Sequence, residues 1–252
     1  MRVKTFKSVI CCIVVGICCS NVFALNLLGP PTAELSKGQL EYTLEHSHSR
    51  FALDFDFTGG SGVMLDLKKS RMKMDNIAGR IGYGINDNIE GFAYLGWAQV
   101  INTENSSRLD ADGRLYGLGA KFTFLEYYLV KWGAQIQANL TKTDGSWSRP
   151  NWIGDVDVDF MQIILAGGVN YELTRYASMY GGPFWYYLSG EKEYVEISPI
   201  PGWYEEYDFK NRTNIGFYVG LQMDVPTDAK LNFEYQKTAH DNMLSLGLSW
   251  RY

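Results

Sequence analysis

Apolar and polar residues alternate one by one along most of this chain. The clearest interior run has Tyr128, Val130, Trp132, Ala134, Ile136 and Leu140 on one face and Lys131, Gly133, Gln135, Gln137 and Asn139 on the other. A period of two marks a strand whose faces meet different environments. Asn214 to Val225 repeats the pattern, with Ile215, Phe217, Val219, Leu221 and Met223 opposing Asn214, Gly216, Gly220, Gln222 and Asp224. The chain ends on a third such run, LSLGLSWRY, in which Leu244, Leu246, Leu248, Trp250 and Tyr252 oppose Ser245, Gly247, Ser249 and Arg251.

Read in order, the pattern predicts ten strands: Gln39–Phe57, Ile77–Ile85, Ile89–Ile101, Arg114–Leu125, Tyr128–Leu140, Asp157–Tyr171, Ala177–Ser189, Asn214–Val225, Lys230–Lys237 and Leu244–Tyr252. In Ile89–Ile101 both faces are apolar, so the outward one is unassigned. Short connections at Asn86–Asn88, Glu126, Glu172–Arg175 and Pro226–Ala229 alternate with long ones. The long ones are an extended first hairpin, which turns at Thr58–Gly62 and returns through Val63–Met74, a stretch too charged to sit in lipid, and the polar stretches Asn102–Gly113, Thr141–Val156 and Gly190–Arg212, which are expected to be loops. The short corner at His240-Asp241 breaks this alternation. An even count returns both ends to one side, and eight strands is the alternative if a weak hairpin is miscounted.

Alternation alone fits the edge of a soluble sandwich as well as a strand facing lipid. The end of the chain separates the two. Ser245, Gly247, Trp250 and Tyr252 follow the order polar, any, Gly, any, any, aromatic, any, terminal aromatic. This resembles the C-terminal signal of bacterial outer-membrane β-barrels, the superfamily of small OmpA-, OmpX- and Opa-like barrels, although Phe or Trp is commoner than Tyr at the last position. The resemblance implies an all-β fold, a single antiparallel transmembrane β-barrel. It also implies as partners the barrel assembly machinery, which reads this strand, the periplasmic chaperones, and outer-membrane lipid and lipopolysaccharide.

The other end agrees. Arg2, Lys4 and Lys7 precede an apolar run from Val9 to Cys19 and a small-residue site at Val22-Phe23-Ala24, the layout of a cleaved secretory signal. The run is too short to span a bilayer as a helix, and no later segment is apolar enough to do so. The expected organisation is a signal over residues 1–24, a periplasmic lead-in over 25–37 whose Gly29-Pro30-Pro31 cannot form a helix, and the barrel over 38–252. All four cysteines, Cys11, Cys12, Cys18 and Cys19, fall in the signal, which excludes disulfides and thiolate chemistry from the mature chain. Lipidation is rejected, because Ile17 and Cys18 stand where a small residue should precede an acylated cysteine.

Removing the three basic residues of the signal from the total of 23 leaves 20 Lys plus Arg against 28 Asp plus Glu, a balance that argues against nucleic acid. The charges expected inside the barrel are Glu41, Glu45, Arg80, Lys121, Lys131, Glu234 and Arg251. Their mixed signs suit a paired core that plugs a narrow barrel, since ten strands leave little room and wide channels need about sixteen. A narrow ion or small-solute path through the same network is the second reading. On the outside, Tyr194, Trp203, Tyr204, Tyr207 and Phe209 share one expected loop with Glu193, Glu205, Glu206 and Asp208. That combination suits recognition of an external ligand, or simply packing of the loop on itself.

Two chemical readings are weaker. Asp54 and Asp56 are expected near His240 and Asp241, a grouping able to activate water as in omptin-like or lipid A-modifying rim enzymes, but no local motif supports it. Asp155, Asp157 and Asp159, with Asp110 and Asp112, suit calcium or a solvated face, and lack EF-hand spacing. No cofactor and no metal are expected, and the leading reading is a non-catalytic barrel with interacting surface loops.

Overall fold

The computed structural model describes residues 26–60, 69–104, 107–149, 152–198, 204–225 and 229–252. The segment expected as a signal over residues 1–24, Trp203 of the expected recognition loop and residues 226–228 of the expected short connection lie outside the described residues. The strands are β1 (Leu40–Gly60), β2 (Lys69–Asn86), β3 (Ile89–Glu104), β4 (Ser107–Tyr127), β5 (Val130–Arg149), β6 (Trp152–Thr174), β7 (Ala177–Ser198), β8 (Tyr204–Asn211), β9 (Ile215–Val225), β10 (Ala229–Thr238) and β11 (Asn242–Arg251). All pairings are antiparallel, and β11 pairs with β1, so the sheet closes on itself.

The ring is not the same at its two ends. Near the chain termini it contains ten strands, running β1 to β7, then β9, β10 and β11 back to β1. Farther along, β8 pairs with β7 on one side and with Leu53–Gly60 of β1 on the other, closing a ring of eight. The β10–β11 hairpin ends inside the wall, and the ring narrows above it. That explains the short corner at His240-Asp241, which is the tip of this inserted hairpin.

Where the wall forks, side chains complete the ladder. Asp241 accepts the N–H of Ala52 at 2.7 Å and the hydroxyls of Tyr186 and Thr238, while the N–H of Arg212 reaches Ala52 O at 3.3 Å. Opposite, Asn211 Oδ1 accepts the N–H of Leu188 at 2.9 Å. Buried backbone groups need such partners wherever a strand loses its neighbour.

Sidedness also reverses along the barrel. In the ten-stranded part large apolar side chains point outward, among them Leu44, Ile77, Leu95, Leu118, Ile136, Leu165 and Phe217, and form a belt. Inside that part lie polar groups such as Thr43, Asn76, Gln135, Gln137, Asn139 and Gln162. In the eight-stranded part, here called the collar, the outward positions are polar, including Asp112, Lys142, Asp144, Asp157, Glu191 and Asp208. Its interior is mainly apolar: Phe51, Leu53, Phe55, Met72, Val100, Leu109, Val156, Val158, Phe160 and Phe209 are all buried, with Lys192 and Glu205 enclosed among aromatic rings.

The collar corrects the expected loops. Asn102–Gly113, Thr141–Val156 and Gly190–Arg212 are largely strand, and β3–β4 pairs rung by rung to Glu104↔Ser107. Most of their charges occupy alternate, outward positions, and the residues between them turn inward, as in Leu109 and Ala111 between Arg108, Asp110 and Asp112; Lys192 and Glu205 are the exceptions and lie inside. Faces left open by the sequence are also settled. Phe92, Tyr94, Ala98 and Val100 of β3 point inward, as do Tyr180, Phe184, Tyr186 and Leu188 of β7.

Candidate functional site

The expected periplasmic lead-in is instead inside the barrel. Asn26, Leu27, Leu28, Thr32, Ala33 and Leu35 are buried, and the segment runs from mid-lumen to the open end before turning into β1. A ten-stranded ring is wider than its own side chains fill, and this segment takes the remaining space. Pro30 and Pro31 have no N–H, so two fewer donors need partners there.

The wall supplies partners for the N–H groups of Leu28, Gly29, Ala33 and Glu34 and for the Asn26 side chain. Asn26 donates to Tyr94 OH at 3.0 Å and accepts from Asn76 at 2.6 Å, and its carbonyl accepts from Gln236 at 3.1 Å. The N–H groups of Leu28 and Gly29 share the Glu234 carboxylate at 2.9 and 2.8 Å. Lower down, Ala33 N donates to Thr123 Oγ1 at 3.0 Å and Glu34 N to Glu90 Oε2 at 3.0 Å.

Glu34 ties the segment to the seam of the barrel. Its carboxylate meets Arg251 at 2.7 Å and Lys230 at 3.4 Å, and accepts from Gln222 at 2.9 Å and Asn170 at 3.0 Å. Arg251 also reaches Glu41 at 2.9 Å, Glu41 meets Arg80 at 3.4 Å, and Lys121 lies 3.7 Å from Glu90. Arg80 and Lys121 both stand over the Phe92 ring, at 5.3 and 5.9 Å from its centroid. These buried charges survive because carboxylates face cations and N–H donors, and cations face carboxylates.

Two glycines make the fit possible. A Cβ on Gly247 would stand 2.6 Å from Leu27 Cδ2, and one on Gly133 would stand 2.6 Å from Pro31 O. A methyl group on Gly133 would meet backbone and force the segment off the wall, and one on Gly247 would make the Leu27 side chain move.

The expected interior charges fall as follows. Glu41, Glu45, Arg80, Lys121 and Glu234 are buried in the lumen, and Arg251 joins them at its end. Lys131 lies at the rim, paired with Glu126 at 3.2 Å. Of the aromatics expected on a recognition loop, Tyr194, Tyr207 and Phe209 are buried in the collar, and Tyr204 is exposed. This corrects their role: they lie on inward positions of β7 and β8 and pack against one another, with Tyr194–Tyr207 ring centroids 6.2 Å apart and Phe55–Phe209 5.3 Å apart. On β11, Ser245 and Gly247 face in, while Tyr252 is exposed with its ring edge-on to Tyr42.

The grouping of Asp54, Asp56, His240 and Asp241 is not assembled. Asp54 binds Arg212 at 2.8 Å on the outer face, Asp56 lies 4.0 Å from Lys210, and Asp241 is turned inward to the fork. Asp155, Asp157 and Asp159 lie outward on β6. Burial, reinforced by Asp144, Asp159 and Asp155, holds the Asp157 carboxyl above its ordinary value. Sequence reasoning missed Asn26, Glu34, Glu90 and Lys230. Glu34, the lone acid of the lead-in, was the available signal.

No protein-family model matches the chain, and no curated protein sequence does. Among solved structures it is similar to the outer membrane protease OmpT from Escherichia coli, with 11% identity over 92% of this chain and 100% of that one and a TM-score of 0.48. It is also similar to the translocator domain of autotransporter NalP from Neisseria meningitidis, with 10% identity over 87% and 90% and a TM-score of 0.48. A third is Ail, the attachment invasion locus protein of Yersinia pestis, with 14% identity over 86% and 99% and a TM-score of 0.33.

Proposed function

We propose that this chain is an integral bacterial outer-membrane β-barrel, non-catalytic, which carries no solute and works from the outer surface of a rigid collar standing outside the membrane. The observation that carries this reading is the reversal of sidedness. An apolar belt around a polar interior suits lipid, and a polar exterior around an apolar core suits water, so the chain passes from one solvent to the other partway along its strands. The collar is packed like a soluble domain and gives exposed side chains on its wall fixed positions, which a flexible loop would not.

A narrow channel is the weaker reading. Its path would have to pass first the segment Asn26–Leu35 and then the ring pairs Phe51–Phe160 and Phe160–Phe209, whose centroids are 6.4 and 6.2 Å apart. Asp241 is occupied by three hydrogen bonds at the fork, which counts against a rim hydrolase built on it.

The mature chain has no cysteine, so single cysteines report position cleanly. Ser146→Cys and Glu193→Cys should react with a membrane-impermeant maleimide on intact cells, and Leu165→Cys and Gln137→Cys should not. Collar labelling only after the cells are broken would overturn the reading.

A further inference from the structure

The charges of the belt lumen do not balance. Among the described residues its ion-pair network holds five carboxylates, those of Glu34, Glu41, Glu45, Glu90 and Glu234, and four cations, those of Arg80, Lys121, Lys230 and Arg251. Four of the acids are provided for. Glu34, Glu41 and Glu90 face cations, and Glu234 accepts the N–H groups of Leu28 and Gly29 and, at 2.7 Å, the Gln236 amide. Glu45 is the exception. It is 1% exposed, and among the described residues no hydrogen bond or ion pair reaches it. Arg80, on the neighbouring strand, is committed to Glu41 at 3.4 Å. A carboxylate left alone in such a place is costly.

A second shortage lies beside it, and it too is a shortage of donors. Asn76, Gln137 and Gln236 hold Asn26 and Tyr94 through their amide nitrogens. The oxygens of all three amides are buried without a partner. Asn76 pairs across the sheet with Ser47, which follows Glu45 by two residues on the same inward face. The two positions are about 7 Å apart along β1 and the strands about 4.8 Å apart, so these oxygens and Glu45 line one region of the lumen. Ser47 and Ser245, direct cross-strand partners in the same region, have hydroxyls without partners as well.

An ammonium group answers both shortages, because it carries one positive charge and three N–H donors and no acceptor. The chain has one within reach. Asn26 is 0% exposed and begins the lumenal segment at its deep end. The expected cleavage after Ala24 leaves Leu25 as the first residue, so the new α-amino group stands at most about 3.6 Å of chain from Asn26.

We propose that the lumen at Glu45 is a binding site for the α-ammonium group of the mature chain, which pairs with the Glu45 carboxylate and donates to the amide oxygens around Asn26. The processed chain thereby supplies the fifth cation of the lumen. Seating of the segment Asn26–Leu35 is tied to processing, because a chain that starts at another residue carries its charge elsewhere. The proposal rests on cleavage after Ala24 and is independent of which side of the membrane the collar faces.

The test uses the whole mature protein, started at Leu25 by proteolytic removal of a fused leader and refolded in detergent. Part of the sample is acetylated in urea near pH 6.5, where an α-amine with a pKa of about 7.7–8.0 reacts ahead of the lysines. Parent and Glu45→Gln, each with and without the acetyl group, are compared by equilibrium unfolding. Acetylation should lower the folding constant of the parent about tenfold or more, and that of Glu45→Gln much less, because there the pair is already broken. The α-amine of the folded parent should also react with an acylating reagent about tenfold or more slowly than in urea. An acetylated parent as stable as the unmodified one would overturn the proposal and leave the site to a solvent cation or water. An equal acetylation loss in Glu45→Gln would overturn the pairing. If the acetylated chain does not refold, amine reactivity decides: faster reaction in folded Glu45→Gln than in the folded parent supports the pair, and equal rates overturn it. The intact mass of protein taken from outer membranes checks the premise. A start other than Leu25 would overturn the proposal and leave the cysteine labelling of the collar untouched.

Discussion

The belt and the collar are built from the same strands and solve opposite problems. β6 passes through both. In the belt it turns Leu165 outward and Gln162 inward, and in the collar it turns Asp157 outward and Val158 inward. Backbone geometry is unchanged between them, so the outer solvent alone selects which alternate residues are apolar. The interiors differ for a second reason, which is ring size. Eight strands enclose a space that Phe51, Phe160, Tyr207 and Phe209 fill directly, whereas ten enclose more than the lumenal amides and charges fill, and the segment Asn26–Leu35 completes that core.

The sharpest way to break this comparison is to empty one core at a time. Phe160→Ala should cost the collar about 3–5 kcal/mol, as loss of a buried ring in a tight apolar core does. Leu165→Ala, on the same strand but facing outward in the belt, should cost much less. Urea unfolding of the refolded variants, followed by near-ultraviolet circular dichroism, compares the two, and equal losses would mean that the collar interior is not a packed core.

The belt core should respond to charge rather than to volume. Glu34→Ala leaves Lys230 and Arg251 without their shared carboxylate and should cost about 1.5–3 kcal/mol, the scale of hydrogen bonds to charged groups. Gly247→Leu should act on the same segment at a second point, by displacing Leu27, so combining the two changes should cost less than the sum of each alone. Both variants should expose residues 26–35 to added protease while the barrel itself resists. Protection equal to the parent's would remove the segment from the core.

The smallest effect is expected on the collar exterior. Asp157 has a raised carboxyl, so the folded collar binds its proton more tightly than the unfolded chain does. Its contribution to stability is fully present below the ordinary aspartate range and is lost as pH rises through the raised value. Asp157→Asn should therefore stabilise the collar near neutrality by about 0.2–1 kcal/mol and flatten the pH dependence of its unfolding midpoint. A destabilised variant would assign Asp157 a structural partner instead.

Much of the belt was legible in the sequence. β5, β9 and β11 show plainly outward apolar residues against mostly polar inward ones, whereas β3 and β7 also turn aromatics such as Phe92 and Tyr180 inward, and the even number of strands around the belt followed from short turns such as Asp87-Asn88. The collar was misread because the same backbone carries the inverse pattern. Runs such as Arg108 to Asp112 look like loop by charge content, and only the inward Leu109 and Ala111 reveal a strand. The strand count was itself divided: ten describes the belt, and eight describes the collar. The lumenal segment was hidden for a different reason. Asn26–Leu35 has no period, and its place depends on partners as distant in sequence as Glu234 and Arg251, which no local pattern connects.

The measurement that tests the account most directly is conductance of the mature, refolded protein in a planar bilayer, beside a variant lacking residues 26–35. Sealed by the segment in the belt and by aromatic packing in the collar, the parent should pass no current. The shortened variant should also be silent, because the collar core remains. Reproducible current steps from the intact parent, shifted in ion selectivity by Lys121→Gln, would contradict a doubly sealed barrel and make the lumen a path.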